Sequence, residues 1–280
     1  MEKIEDLVIY RDPAWYSTFP SLTRAKNGVL LCGFRRAPRE ENRSHLHSRS
    51  RAVFVRSSDD GKTWTDTPEP ICEEDELGQQ DPQLATTSKG RIIGSFFRWQ
   101  AHAPEERATL TNFPVREKKG CLWSNAGVGV TWSEDNGRTW EGLHRVPWPW
   151  GKRGGGSRAP AVESPDGRLM LPCYGAPEPG QTSVAYLMQS ADGGASWELL
   201  SIMADGRSVE EPFECHEPFV LRTGDHSLVC FLRCYGEGGL MRMCTSEDNG
   251  ESWSEPVETG VWGFPQAALQ LENERIVLVY

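Results

Sequence analysis

Four arginines stand at two register positions of a segment that recurs along the chain. Each segment has a proline opening an apolar run, then a turn, then a second apolar run. The copies are FPSLTRAKNGVLLCGFRR from Phe19, DPQLATTSKGRIIGSFFR from Asp81, APAVESPDGRLMLPCY from Ala159, EPFVLRTGDHSLVCFLR from Glu217 and FPQAALQLENERIVLVY from Phe264. Two positions before the proline stand Thr18, Gln80, Arg158, His216 and Gly263, and one position before it Phe19, Asp81, Ala159, Glu217 and Phe264. The second runs end at Arg35, Arg98, Tyr174, Arg233 and Tyr280. If like positions converge, Arg35, Arg98, Arg158 and Arg233 form a cationic cluster. A guanidinium fork grips a carboxylate in a bidentate way that an ammonium cannot. Asp81, Glu217 and His216 beside it add groups suited to acid–base chemistry. Ion pairing of the arginines with acids of neighbouring repeats is the plainer alternative.

The elements that must position these residues follow from a second pattern, serine-x-aspartate-x-glycine-x-x-tryptophan. It reads SSDDGKTW from Ser57, SEDNGRTW from Ser133, SADGGASW from Ser190 and SEDNGESW from Ser246. The aspartate accepts from nearby backbone N–H groups in an Asx-type turn, glycine supplies positive φ, and the tryptophan opens the outgoing strand. These aspartates are read as structural staples. The strand-like runs AVFVR, VGVTW, VAYLMQ and LMRMCT precede the boxes. With the hairpin upstream and the strand after the box, each unit holds four antiparallel strands, which is a propeller blade.

Box starts differ by 76, 57 and 56 residues, so a blade takes about 56 and the first interval carries roughly 20 extra. Residues 101–120 are the expected loop insertion, polar and at the rim. The fifth unit reaches only its second strand at Tyr280. The expected fold is all-β: one incomplete β-propeller domain over residues 1–280, four full blades and half of a fifth, from a six- or seven-bladed ring. The net charge of −10 argues against nucleic-acid binding. No apolar run reaches membrane-spanning length, and MEKIEDLVIYRD lacks a signal-peptide core, so a cytoplasmic protein is expected. The eight cysteines read as buried free thiols with no zinc spacing, and no cofactor motif is present. PWPWGKRGGGS, residues 147–157, is expected to be a mobile loop rather than a phosphate loop, since no helix follows it.

On its boxes and blade pattern the chain resembles the sialidase superfamily, whose Asp box has this form. The resemblance implies a six-bladed propeller. It also implies a site with three arginines on the substrate carboxylate, an aspartate acid/base and a tyrosine nucleophile activated by a glutamate. Glu217 and Arg233 resemble the segment carrying that glutamate and the second arginine. Arg158 has the local pattern of the first arginine but in another blade, and Thr18 stands where the first-blade arginine is expected. His47, in the stretch RRAPREENRSHLHSRSR, falls about where the aspartate acid belongs. His45 and His47 also loosely resemble the histidine arrangement of similar propellers that cleave rhamnose–glucuronate linkages.

The expected activity is exo-acting hydrolysis of a terminal acidic sugar, a sialic acid or uronate. Glu217, His47, Asp81 and His216 are the expected catalytic residues, and Arg35, Arg98, Arg158, Arg233 and Tyr174 the substrate-binding ones. The expected partner is an acidic glycan. Trp99, Trp148, Trp150 and Trp262 are further candidates for stacking on sugar faces. A histidine-driven hydrolase or lyase and a non-catalytic carbohydrate-binding propeller are the alternatives.

Overall fold

A computed structural model describes residues 5–39, 45–73, 77–110, 115–118, 120–151, 154–207, 209 and 212–280. Blade one is β1 (Trp15–Arg24), β2 (Leu30–Pro38), β3 (Arg51–Ser57) and β4 (Glu69–Pro70). Blade two holds β5 (Gly78–Thr86), β6 (Ile92–His102), β7 (Val115–Lys118), β8 (Cys121–Ser133) and β9 (His144–Arg145). Blade three is β10 (Val162–Glu163), β11 (Leu169–Gly175), β12 (Val184–Ser190) and β13 (Glu198–Ala204). Blade four is β14 (Glu214–Arg222), β15 (Leu228–Tyr235), β16 (Arg242–Ser246) and β17 (Val257–Glu258), followed by the hairpin β18 (Ala267–Gln270) and β19 (Ile276–Val279). Blades one, three and four are antiparallel sheets in sequential order. First strands lie side by side: β1 against β5, β10 against β14, β14 against β18. The fold is an all-β propeller of four-stranded antiparallel blades.

Apolar side chains fill the spaces between successive blades. Leu31, Phe54 and Ile71 of blade one meet Leu84, Ile92 and Phe96 of blade two. Ile93, Phe97 and Val130 meet Leu171, Tyr186 and Trp197 of blade three, and Met170 and Leu187 meet Val220 and Leu228 of blade four. Burying both faces of a sheet explains the near-continuous apolar runs. The cysteines are unpaired, and all but Cys121 are buried.

The boxes close the blades as the sequence implies. In the second, the Ser133 hydroxyl donates to Asp135 (2.8 Å), Gly137 N–H donates to Ser133 (2.8 Å), and Thr139 N–H donates to Asp135 (2.9 Å). Hydrogen bonds hold Asp59, Asp135 and Asp192 down to about 2. The residue before each glycine also has positive φ, at Asp60, Asn136, Gly193 and Asn249.

Residues 101–120 are not a plain loop. Strands β6 and β8 continue past the blade and pair from Trp99–Asn125 to His102–Leu122, while β7 pairs with β8 through Arg116–Trp123. A short 3-10 turn, Pro104–Thr109, lies between. Residues 111–114 and 119 lie outside the described residues. In the segment 147–157, residues 152–153 also lie outside them, but Gly154, Gly155 and Gly156 are buried rather than loose. Gly156 and Tyr174 exchange two backbone hydrogen bonds of 2.8 and 2.9 Å.

Candidate functional site

Proline cannot supply a ladder N–H, and the X-Pro step in three first strands breaks the register. Pairing slips between Thr18 and Ser21, between Gln80 and Gln83, and between His216 and Phe219. At each slip the residue before proline turns left-handed: Phe19 at φ 59, Asp81 at φ 48, Glu217 at φ 46. That conformation is strained for a side-chain-bearing residue and more so before proline. Such bulges re-aim side chains beside functional clefts. Here they bring Phe19, Asp81 and Glu217 into the lining of one cleft of about 830 Å³.

Arg158 reaches the same place from blade three. Its Nε lies 3.1 Å from Asp81 Oδ2 and its Nη1 3.2 Å from Glu217 Oε2. Glu217 Oε1 accepts from Arg233 (2.9 Å), whose other arm contacts the Tyr235 hydroxyl. An alternating acid–arginine chain therefore crosses three blades. Asp81 is only 6% exposed. Desolvation, with the Arg158 charge opposing it and Glu217 adding to it, pushes its carboxyl up to about 6. Asp81 Oδ1 and Gln80 Nε2 are buried without a hydrogen-bond partner among the described residues.

His216 Nε2 sits 3.0 Å from Glu214 Oε1, with the Tyr174 and Tyr235 rings 5.3 and 5.1 Å away. Burial lowers its pKa, against the pull of Glu214. Burial raises that of Tyr174, and the Glu217 and Asp81 charges raise it further, so Tyr174 stays a phenol. No group of three or more potential metal ligands occurs among the described residues.

The sequence-predicted residues divide. Asp81, Glu217, His216, Arg158, Arg233 and Tyr174 line the cleft; Arg35, Arg98 and His47 do not. Arg98 pairs with Gln79, three before its proline, whereas Arg35 and Arg233 pair with Thr18 and His216, two before theirs. One residue of offset sends a strand side chain to the other face, and Arg98 donates inside blade two to the Ala126 carbonyl (3.0 Å). Arg35 is fully buried and donates to Ser50 (2.7 Å). His47 accepts the Arg49 N–H on Nδ1 (3.0 Å), a local turn contact. It is His45, with its ring 5.3 Å from Phe19, that lines the cleft.

Among the tryptophans, Trp99 lines the cleft. Trp148 and Trp150 pack edge-on against Tyr186, and Trp262 is exposed. Sequence reasoning missed Glu214 and Arg116. Glu214 was discoverable, since it shares a strand face with His216 two residues on. Arg116 lies in the blade-two extension, where no repeat gives a register.

The BNR repeat-like domain matches residues 101–280. No curated protein sequence matches the chain. Among solved structures it is similar to a protein of unknown function from Dyadobacter fermentans DSM 18053, with 29% identity and a TM-score of 0.88, covering 99% of this chain and 78% of that one. It is also similar to the NanB sialidase from Streptococcus pneumoniae, with 15% identity and a TM-score of 0.65, covering 92% of this chain and 54% of that one. The intramolecular trans-sialidase from Ruminococcus gnavus is 17% identical with a TM-score of 0.62, covering 88% of this chain and 71% of that one. At those identities the two sialidases share the fold alone, and this chain spans about half the length of NanB. With its boxes, sialidase-like blades and a match over more than half its length, the chain belongs to the BNR repeat-like domain family.

Proposed function

We propose that this protein is a sialidase-like glycoside hydrolase acting on a terminal acidic sugar in the cleft bounded by Asp81, Glu217 and His216. The observation that carries the reading is Asp81. It is a buried carboxyl in the cleft lining, pushed up to about 6, with one oxygen unpartnered among the described residues. A carboxyl of that kind is a general acid near neutral pH. In the proposed reaction Asp81 gives its proton to the glycosidic oxygen as the bond to the anomeric carbon breaks. A water adds to that carbon and gives its proton to His216, whose ring Glu214 orients. The proton returns to Asp81 through solvent. Glu217 holds Arg158 and Arg233 in place.

The test is release from a fluorogenic sialoside and from uronate-capped oligosaccharides. We expect turnover on one panel and a fall of at least about 10²-fold in kcat for Asp81→Asn. Binding without release on both panels overturns the hydrolase reading in favour of a carbohydrate-binding propeller.

The contact of Tyr174 with His216 favours a second reading, elimination from a uronate. There His216 takes the C5 proton, the C4–O bond breaks, and the Tyr174 hydroxyl protonates the leaving oxygen. An unsaturated, ultraviolet-absorbing product identifies that route, and a saturated one excludes it.

A further inference from the structure

The two arginines of the inner cleft already have anionic partners. Arg158 is shared between Asp81 and Glu217, and Arg233 is held by Glu217 and Tyr235. A substrate carboxylate arriving there competes with two resident carboxylates. The cation without such a competitor is Arg116. It lines the cleft and is exposed, and among the described residues no carboxylate lies within ion-pair distance of it. Its guanidinium sits 5.1 Å from the ring centroid of Trp99, which also lines the cleft.

The strand that carries Arg116 fixes its direction. Successive side chains of β7 alternate between faces. Glu117 turns away and pairs with Arg107 at 2.6 Å. Lys118, on the face of Arg116, is close enough to the cleft histidine His45 to help lower its pKa, after burial and Arg35. The extension is anchored: the Asn125 amide donates to the Gly155 carbonyl (2.8 Å) and its oxygen accepts from Gly127 N–H (2.6 Å). Arg116 thus lines the cleft from an anchored edge, with Lys118 beside it on the same strand face, while Gln80 Nε2 and Asp81 Oδ1, buried without a partner among the described residues, suit sugar hydroxyls.

We propose that Arg116, assisted by Lys118 and seated on Trp99, receives the carboxylate of the acidic sugar, so that the blade-two extension sets substrate class. This inference rests on the reading of the cleft as a glycan site, not on turnover there.

The experiment is titration calorimetry with matched probes, sialyllactose against lactose and a glucuronate-capped against a glucose-capped disaccharide, using Asp81→Asn protein so that hydrolysis does not intervene. The acidic member of one pair is expected to bind more tightly. Arg116→Ala should lower that affinity about 10- to 100-fold, the range for a charge-assisted hydrogen bond. The neutral member should be unaffected, Arg116→Lys should retain part of the preference, and added salt should erode it. The exposed position of Arg116 keeps the variant's folding out of question. Equal loss for acidic and neutral probes, no loss, or no acidic preference in the parent overturns the proposal. An Arg116-dependent preference in wild-type protein that releases nothing sinks the hydrolase reading alone. Turnover that ignores Arg116 sinks this one alone.

Discussion

Arg158 Nε stands 3.1 Å from Asp81 Oδ2, and the carboxyl nevertheless keeps its proton up to about pH 6. An arginine at that distance ordinarily drives a carboxylate pKa down. Two features of this site reverse the sign. Asp81 is almost wholly desolvated, and Arg158 divides its charge between Asp81 and Glu217, whose own negative charge acts back on Asp81. One guanidinium shared between the buried Asp81 and the partly exposed Glu217 leaves the buried acid proton-hungry.

That arrangement sets the pH profile of the proposed hydrolysis. The acid Asp81 must be protonated, which fails as pH rises through about 6. The base His216 must be neutral, and its pKa is lowered from 6.5 by burial. The kcat/KM profile should therefore peak in mildly acidic solution and fall on its alkaline side from about pH 6. In Asp81→Glu protein that alkaline limb should move. A rate that stays flat to pH 8 removes Asp81 from the acid role.

The same shift makes a stability prediction independent of substrate. The folded-state pKa of Asp81 lies above its value of 3.8 in the unfolded chain. Its contribution to stability is thus full below about 3.8 and is lost as pH rises through about 6. About two units correspond to roughly 3 kcal/mol. Asp81→Asn should gain on the parent between pH 4 and 7, as read from urea midpoints at each pH. Parallel profiles would show that the carboxyl ionises in the folded protein as it does in the unfolded chain.

Removing Arg158 should act in the opposite sense. Arg158→Ala leaves Asp81 and Glu217 close together and without that guanidinium, and breaking a buried pair costs about 3–5 kcal/mol. The loss should be largest at pH 7.5 and shrink toward pH 4.5, where Asp81 can take a proton. A pH-independent loss would mean that the guanidinium contributes packing against Phe19, 4.8 Å away, rather than charge.

The blade plan was legible because it is local. Ser133, Asp135, Gly137 and Thr139 lie within one turn, and the residues themselves state the hydrogen bonds they make. The placement of Asp81 and Glu217 was legible too, since each precedes a proline that marks a register. Arg98 shows where this reasoning stops. It ends a run like those of Arg35 and Arg233, but pairing one residue further along turned it inward, and spacing counted from a proline does not resolve one residue across a bulge. Arg158 meets Asp81 across 77 residues of chain. That is the pairing with an acid of a neighbouring repeat which the register left open beside a free cationic cluster, and spacing alone does not choose between the two.

The two neighbouring histidines should separate cleanly. His47 lies outside the cleft in a turn contact with Arg49, and His47→Ala should leave turnover and binding unchanged. His45 lines the cleft against Phe19, so His45→Ala should raise KM. A fall of 10²-fold or more in kcat for His47→Ala would restore it to the mechanism.

The wall carrying Tyr174 depends on absent side chains. Gly155 has φ 76, and an added Cβ would lie 2.6 Å from Trp148, 2.8 Å from the Tyr186 hydroxyl and 3.0 Å from the Tyr174 carbonyl. Gly151 has φ 87, and among the described residues nothing lies within 4 Å of an added Cβ. Alanine at either position bears the left-handed cost of about 1–2 kcal/mol. Only at Gly155 must packed rings and backbone also shift, worth a further 1–3 kcal/mol. Gly155→Ala should therefore lower the urea midpoint more than Gly151→Ala and reduce kcat/KM as the Tyr174 strand moves, while Gly151→Ala leaves kcat/KM alone. Equal effects of the two on stability and rate would show that the wall yields freely, and that Tyr174 is not held against His216 by this packing.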